Sequence, residues 1–236
     1  MSETRINASG FDAYAAEYDA ALQKGISVSG EGKDYFARGR ILWLSKLLGA
    51  LSEKPRSVLD FGCGTGTATA FLKEILRPDS ILGVDVSVKS LEVARQTHVD
   101  SETRFFSLDE YEPDGAFDLA FCNGVFHHVP VKERAAAIDY LWRSLRPGGI
   151  FAFWENNPWN PGARIVMSRI PFDRDAIMVS PIEARRLLRL GGFEIIRTDF
   201  QFIFPRALAG LRGLERVMCR MPFGAQYQVL CRKTTQ

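Results

Sequence analysis

Apolar positions along the chain follow two rhythms. Up to about residue 55 the spacing is helical. Phe11-Asp12-Ala13-Tyr14-Ala15-Ala16-Glu17-Tyr18-Asp19 reads as a first helix, and a link bearing Gly25, Gly30 and Gly32 follows. A second helix places Phe36, Ile41, Trp43, Leu44, Leu47 and Leu48 at its apolar positions, and Pro55 closes this part. Beyond it, short apolar runs alternate with helical stretches. Strands are predicted at Ser57–Phe61, Ile81–Val84, Arg104–Ser107, Phe117–Cys122, Ile150–Glu155, Phe193–Phe204 and Gln226–Lys233. Helices are predicted at Gly66–Ile75, Val88–Gln96, Val131–Leu145, Pro181–Leu190 and Arg206–Arg220. Such alternation implies an α/β fold with right-handed crossovers, a mostly parallel sheet and ligands at the C-terminal strand ends. Residues 1–55 then form a helical N-terminal part and 56–236 one domain, with an insertion at 156–180 on the side where ligands bind.

Composition narrows the classes. Of 236 residues, 46% are hydrophobic and 25% charged, which excludes a wholly disordered chain. No apolar run approaches the roughly 18 residues of a membrane span, and the polar start is no secretory signal, so a soluble, cytoplasmic protein is expected. A net charge of +2 makes no case for a nucleic-acid partner. The last third is more basic, with 13 Lys and Arg against 6 Asp and Glu from residue 164 onward. Arg212, Arg216 and Arg220 would share one helical face there, a weak hint of an anionic surface. Cys63, Cys122, Cys219 and Cys231 lie far apart, and the only histidines are His98, His127 and His128. Neither set has zinc-site spacing, so no metal is expected.

The most informative stretch is Val58-Leu59-Asp60-Phe61-Gly62-Cys63-Gly64-Thr65-Gly66. An apolar strand ends on a carboxylate, three glycines alternate, and a helix begins. Such a loop lets a ligand touch the backbone and offers a helix N-terminus to an anion. A dinucleotide fingerprint would need Gly or Ala where Thr67 or Thr69 stands, so that reading fails in both registers. The next strand ends at Asp85-Val86, where a carboxylate can accept both hydroxyls of a ribose. Ser107, Leu108 and Asp109 follow the third strand, where an adenine edge would be met. An adenosine-containing ligand is implied.

Asp60-x-Gly62-x-Gly64-x-Gly66, Asp85, Phe117-Asp118-Leu119 and Leu145-Arg146-Pro147-Gly148-Gly149 together resemble the class I S-adenosylmethionine-dependent methyltransferases, across roughly residues 55–155. Gly191-Gly192-Phe193 is similar to that family's late turn. The resemblance implies a Rossmann-like, seven-stranded, mostly parallel sheet with the last strand antiparallel and helices on both faces. It implies S-adenosylmethionine as cofactor and S-adenosylhomocysteine as product. Asp60 and the Gly62 and Gly64 backbone would hold the methionine part, Asp85 and Val86 the ribose side, and Asn123 would lie near the cofactor's amino group. Tyr14 and Tyr18 resemble lid tyrosines that close over the sulfonium, which makes residues 1–55 a lid; they could equally pack the helix onto the sheet. His127, His128 and Glu155 are candidate proton acceptors, with structural roles as the competing reading. The expected acceptor is a small or carrier-linked molecule (sugar, lipid or natural-product-like), methylated on O or N and anionic or polyhydroxylated. Arg164, Arg169 and Arg174 of the insertion would grip it, unless they only pair with Asp173, Asp175 and Glu183. A non-catalytic cofactor-binding module is the alternative.

Overall fold

The computed structural model describes residues 18–98, 100–173 and 176–235. Two helices come first, α1 (Tyr18–Ile26) and α2 (Lys33–Ala50). Then β1 (Ser57–Phe61), α3 (Thr67–Leu76), β2 (Ser80–Asp85), α4 (Val88–Thr97) and β3 (Thr103–Ser107) build the first half of the sheet. The second half comprises β4 (Phe117–Asn123), α5 (Arg134–Ser144), β5 (Leu145–Asn156), α6 (Pro161–Arg169), α7 (Pro181–Leu190), β6 (Phe193–Gln201), the single turn α8 (Glu215–Met218) and β7 (Gln226–Lys233). The strand order is β3-β2-β1-β4-β5-β7-β6. Only β7 runs antiparallel to its neighbours. This is the predicted Rossmann-like sheet.

Both faces of the sheet are covered, so its central strands carry apolar side chains on both faces rather than on alternate positions. In β5, Phe151 and Phe153 join one core cluster with Leu141 of α5 and Leu188 of α7. Ile150, Ala152 and Trp154 point the other way, into a cluster with Ile41, Leu44, Leu47 and Leu48 of α2 and Leu72 of α3. The strand order reverses between β1 and β4, which opens a crevice at their C-terminal ends.

Most of the helix read at Phe11–Asp19 lies outside the described residues, and Gly25, expected in the link after it, sits inside α1. Three further elements differ. Arg206–Arg220 is not one helix but 3₁₀ turns over Arg206–Leu214 followed by α8. Gly210 and Gly213 weaken a regular helix there, and Arg212 turns inward to Glu31 at 2.8 Å and over the Tyr35 ring at 4.7 Å. Arg220 reaches the Thr198 carbonyl, so no basic stripe forms. β6 stops at Gln201 rather than Phe204, because Phe202 takes a left-handed φ of 62° and packs on Tyr35 and Phe36. The insertion, where no helix was predicted, contains α6: Pro161 occupies its first turn, and Asn160 Oδ1 caps it by accepting from Ala163 N at 2.9 Å. Among the described residues no helix is long and apolar enough to cross a membrane.

Candidate active site

The glycine loop follows β1 as anticipated. Gly62 has φ 73°, and a Cβ there would meet Val125 Cγ2 at 2.2 Å. Gly64 has φ 53°, and a Cβ there would meet nothing within 4 Å. One glycine is thus required by protein packing, the other lets the backbone face an open cavity. Asp85 Oδ2 accepts from Gly64 N at 2.8 Å and its Oδ1 from Ser87 N at 2.8 Å, so the ends of β1 and β2 are tied through one carboxylate. Asp60 is buried and accepts from the Thr69 hydroxyl at 2.6 Å. Burial pushes its carboxyl up to about 7, with Thr69 pulling it down and Asp85 adding to the rise.

Two connected cavities fill the crevice. The smaller, about 90 Å³, is walled by Phe61, Val84, Asp85, Val86, Leu108 and Val129. The larger, about 400 Å³, lies beneath α1, the start of α2, α6 and the 202–205 turn. Gly62, Gly64, Asn123, Gly124 and His128 border both. At this junction Asn123 Oδ1 is buried without a hydrogen-bond partner. A buried amide oxygen of that kind calls for a donor from a ligand. With Asp85 at one side, apolar Val86 and Leu108 at another and Gly64 open to the cavity, the residues fit S-adenosylmethionine.

The remaining candidates fall in different places. Ser107 ends β3, but its N–H donates to Glu110, and Leu108 N–H donates to the Asp85 carbonyl. Asp109 is exposed and lines neither cavity. Tyr14 lies outside the described residues, as does the side chain of Tyr18. Arg164 and Arg169 are exposed on α6 and line neither cavity, and Arg174 lies outside the described residues. Their supposed partners are engaged elsewhere: Glu183 with Arg134, Asp173 with the two histidines.

His127 and His128 meet at the floor of the larger cavity, while Glu155 lies buried behind His127 and lines neither cavity. His127 Nδ1 lies 2.6 Å from Glu155 Oε2, and its Nε2 lies 3.4 Å from Asp173 Oδ1. His128 Nε2 lies 3.1 Å from the same Asp173 oxygen. Burial opposes charge on His127, but Glu155 and Asp173 outweigh it and raise the imidazole to about 10. Burial holds His128 below the ordinary histidine value, against the pull of Asp173. The backbone holds this cluster together. Ile177 N–H donates to the His127 carbonyl, while buried Arg134 donates to the Val129 and Ile177 carbonyls and to Glu183.

Two cavity residues were not singled out from the sequence. Arg40 is buried, lines the larger cavity and donates to Gln226 Oε1 at 2.8 Å, and Gln226 donates in turn to Asn156. Its signal was present: Arg40 falls in the apolar register of Ala37, Ile41, Leu44 and Leu48, where a charge is out of place. Asp173 carried no such signal, because only the return of the insertion brings it to the histidines.

Comparison with known proteins agrees with the geometry. Residues 59–151 match the model of a family described as a methyltransferase domain. A trans-aconitate 2-methyltransferase from Azoarcus sp. is 33% identical over 115 residues, covering 49% of this chain and 45% of that protein. A demethylmenaquinone methyltransferase from Thermus thermophilus is 32% identical over 130 residues, covering 53% and 58%. The chain therefore spans only about half the length of these curated relatives. The crystal structure of magnesium protoporphyrin IX methyltransferase from Synechocystis, with bound S-adenosylhomocysteine, superposes with a TM-score of 0.66 over 98% of this chain and 100% of that one. At 19% identity, that likeness is one of fold. Residues 59–151 are thus a methyltransferase domain, and the sheet around them has the order of the class I S-adenosylmethionine-dependent methyltransferase fold.

Proposed function

We propose that the protein transfers the methyl group of S-adenosylmethionine to an oxygen or nitrogen of a small-molecule or carrier-linked acceptor. The observation that supports this most is the pair of joined cavities, with the unpartnered Asn123 oxygen where they meet. When bound, S-adenosylmethionine supplies an electrophilic methyl on a sulfonium. The chain's own residues bind and orient. Asp60 and the backbone of Gly62 and Gly64 hold the methionine portion, Asp85 the ribose, and Val86 and Leu108 the adenine faces, with Ser107 and Asp109 at the outer rim. Residues 1–55 serve as the lid, with Tyr14 and Tyr18 over the sulfonium. The acceptor occupies the larger cavity against His127 and His128, with Glu155 behind His127, and much of the rate comes from in-line placement.

The acceptor is anionic, with its carboxylate or phosphate directed to Arg40 rather than to the arginines of the insertion. A buried guanidinium at a cavity wall favours such a group, because the desolvated charge gains most from a bidentate anion. The relative named for trans-aconitate, a carboxylic acid, points the same way.

The test is transfer of radiolabelled methyl from S-adenosylmethionine to a panel of organic acids, sugar phosphates and hydroxylated natural products. Transfer to an anionic member is expected, and Arg40→Met should raise its KM at least 10-fold while cofactor affinity stays put. Cofactor binding without transfer to any member would favour the non-catalytic module instead.

A further inference from the structure

The histidine cluster has a feature that hydrogen bonding among its members leaves open. His127 Nδ1 is turned to Glu155, a buried carboxylate that also accepts the backbone N–H of His127 and of Asn156. In the neutral tautomer that gives Nδ1–H to Glu155, the ring turns its Nε2 lone pair to Asp173 Oδ1, itself an acceptor, whereas the imidazolium closes that contact with a second proton. At 3.4 Å the contact can be closed either by a proton or by a metal ion that both atoms ligate. The buried guanidinium of Arg134, at the start of α5, is committed to Glu183 and two carbonyls.

His128 completes the arrangement. Its Nε2 is 3.1 Å from the same Asp173 oxygen, the two imidazole rings lie 4.1 Å apart, and the three ligating atoms lie within 4.8 Å of one another. Bonds of about 2.0–2.2 Å from one ion to N and O ligands put neighbouring ligand atoms about 3–3.5 Å apart, close to the spacings to Asp173. His127, Asp173 and Glu155 are 4%, 7% and 1% exposed, so the set is held rigidly, while His127, His128 and Asp173 all border the larger cavity. A carboxylate behind a ligating histidine is the usual device that fixes the tautomer of a metal-bound imidazole.

We propose that His127, His128 and Asp173 bind one divalent first-row transition ion, of the Zn²⁺ or Fe²⁺ kind, with Glu155 orienting His127 and at least one coordination position open to the cavity. Two imidazoles and a carboxylate with an open position suit either ion. This proposal departs from the sequence expectation of no metal. An acceptor oxygen entering the cavity would be a fitting further ligand, yet the ion site itself does not depend on methyl transfer.

The test uses the full chain, stripped with chelator and dialysed separately against Zn²⁺, Co²⁺ and, without oxygen, Fe²⁺. The expected result is one equivalent of metal per chain, a visible absorption band with Co²⁺, and a raised Tm. Competition between Zn²⁺ and Fe²⁺ then tells which the site prefers. Asp173→Asn and His128→Ala should each weaken binding at least 100-fold. Glu155→Gln should retain the stoichiometry and weaken binding about 10–100-fold. Wild-type protein that takes up no more metal than Asp173→Asn would overturn the site and leave a proton between His127 and Asp173. Calorimetry of S-adenosylhomocysteine on the same stripped protein reports separately on the methyltransferase reading.

Discussion

Asp60 joins a buried carboxylate of the fold to the proposed cofactor site. Its folded carboxyl titrates near 7 against 3.8 in a free chain, mainly because it is buried. Between those values the folded state holds more protons than the unfolded one. The stability from the neutral carboxyl, on the order of a few kcal/mol, is therefore complete below pH 4 and lost as pH rises through 7. Denaturant titrations from pH 4 to 8 should show that decline, and Asp60→Asn should flatten it. If the cofactor's cationic end lies at Asp60, its affinity should rise about 10-fold from pH 6 to 8, following ionisation of the carboxyl, and lose that slope in the Asn variant. The two loop glycines should separate packing from binding. Gly62→Ala forces a Cβ onto Val125 at positive φ and should cost about 2–4 kcal/mol of stability. Gly64→Ala should cost only about 1 kcal/mol but weaken cofactor binding at least 10-fold, because its new methyl enters the cavity. These residues were legible in the sequence because strand, carboxylate and glycines are contiguous there. Asp173 was not, since its role depends on where a distant segment returns.

At the scale of elements, the parallel core was readable because each strand and crossover helix carries its own apolar period. The edges were not. Arg206–Leu214 shows helical spacing but settles into 3₁₀ turns, where Arg212 is drawn to Glu31 and Tyr35 instead of facing solvent. The insertion is fixed from both ends by contacts no local pattern reveals. Asn157 donates to the carbonyls of Pro222 and Gly224, and Tyr227 donates to that of Val179. Arg134 clamps its return. Arg134→Met should destabilise the protein by about 2–4 kcal/mol, since the carbonyls of Val129 and Ile177 lose a buried charged donor. Glu183→Gln, on the half-exposed side of the same ion pair, should cost under about 1 kcal/mol. Thermal melts of both variants check the contrast. Equal losses would mean that the ion pair, not the carbonyl clamp, holds the insertion.

Across the whole molecule, seven strands in the order β3-β2-β1-β4-β5-β7-β6 put the reversal point between Asp60 and Asn123, and α1, α2 and α6 roof the crevice. The cofactor half of this site lies within the stretch that matches the methyltransferase-domain family. Apart from His127 and His128, the proposed acceptor half is assembled from segments outside it, so homology speaks to the cofactor and the cavity must speak for the acceptor. The central claim is that the crevice between β1 and β4 binds S-adenosylmethionine through Asp85 and the glycine loop. Isothermal calorimetry of S-adenosylhomocysteine addresses it most directly. Binding at one site per chain is predicted, weakened by about 1.5–3 kcal/mol in Asp85→Ala, with no comparable heat from a nicotinamide dinucleotide. Wild-type affinity in a folded Asp85→Ala variant, or no binding at all, would contradict it.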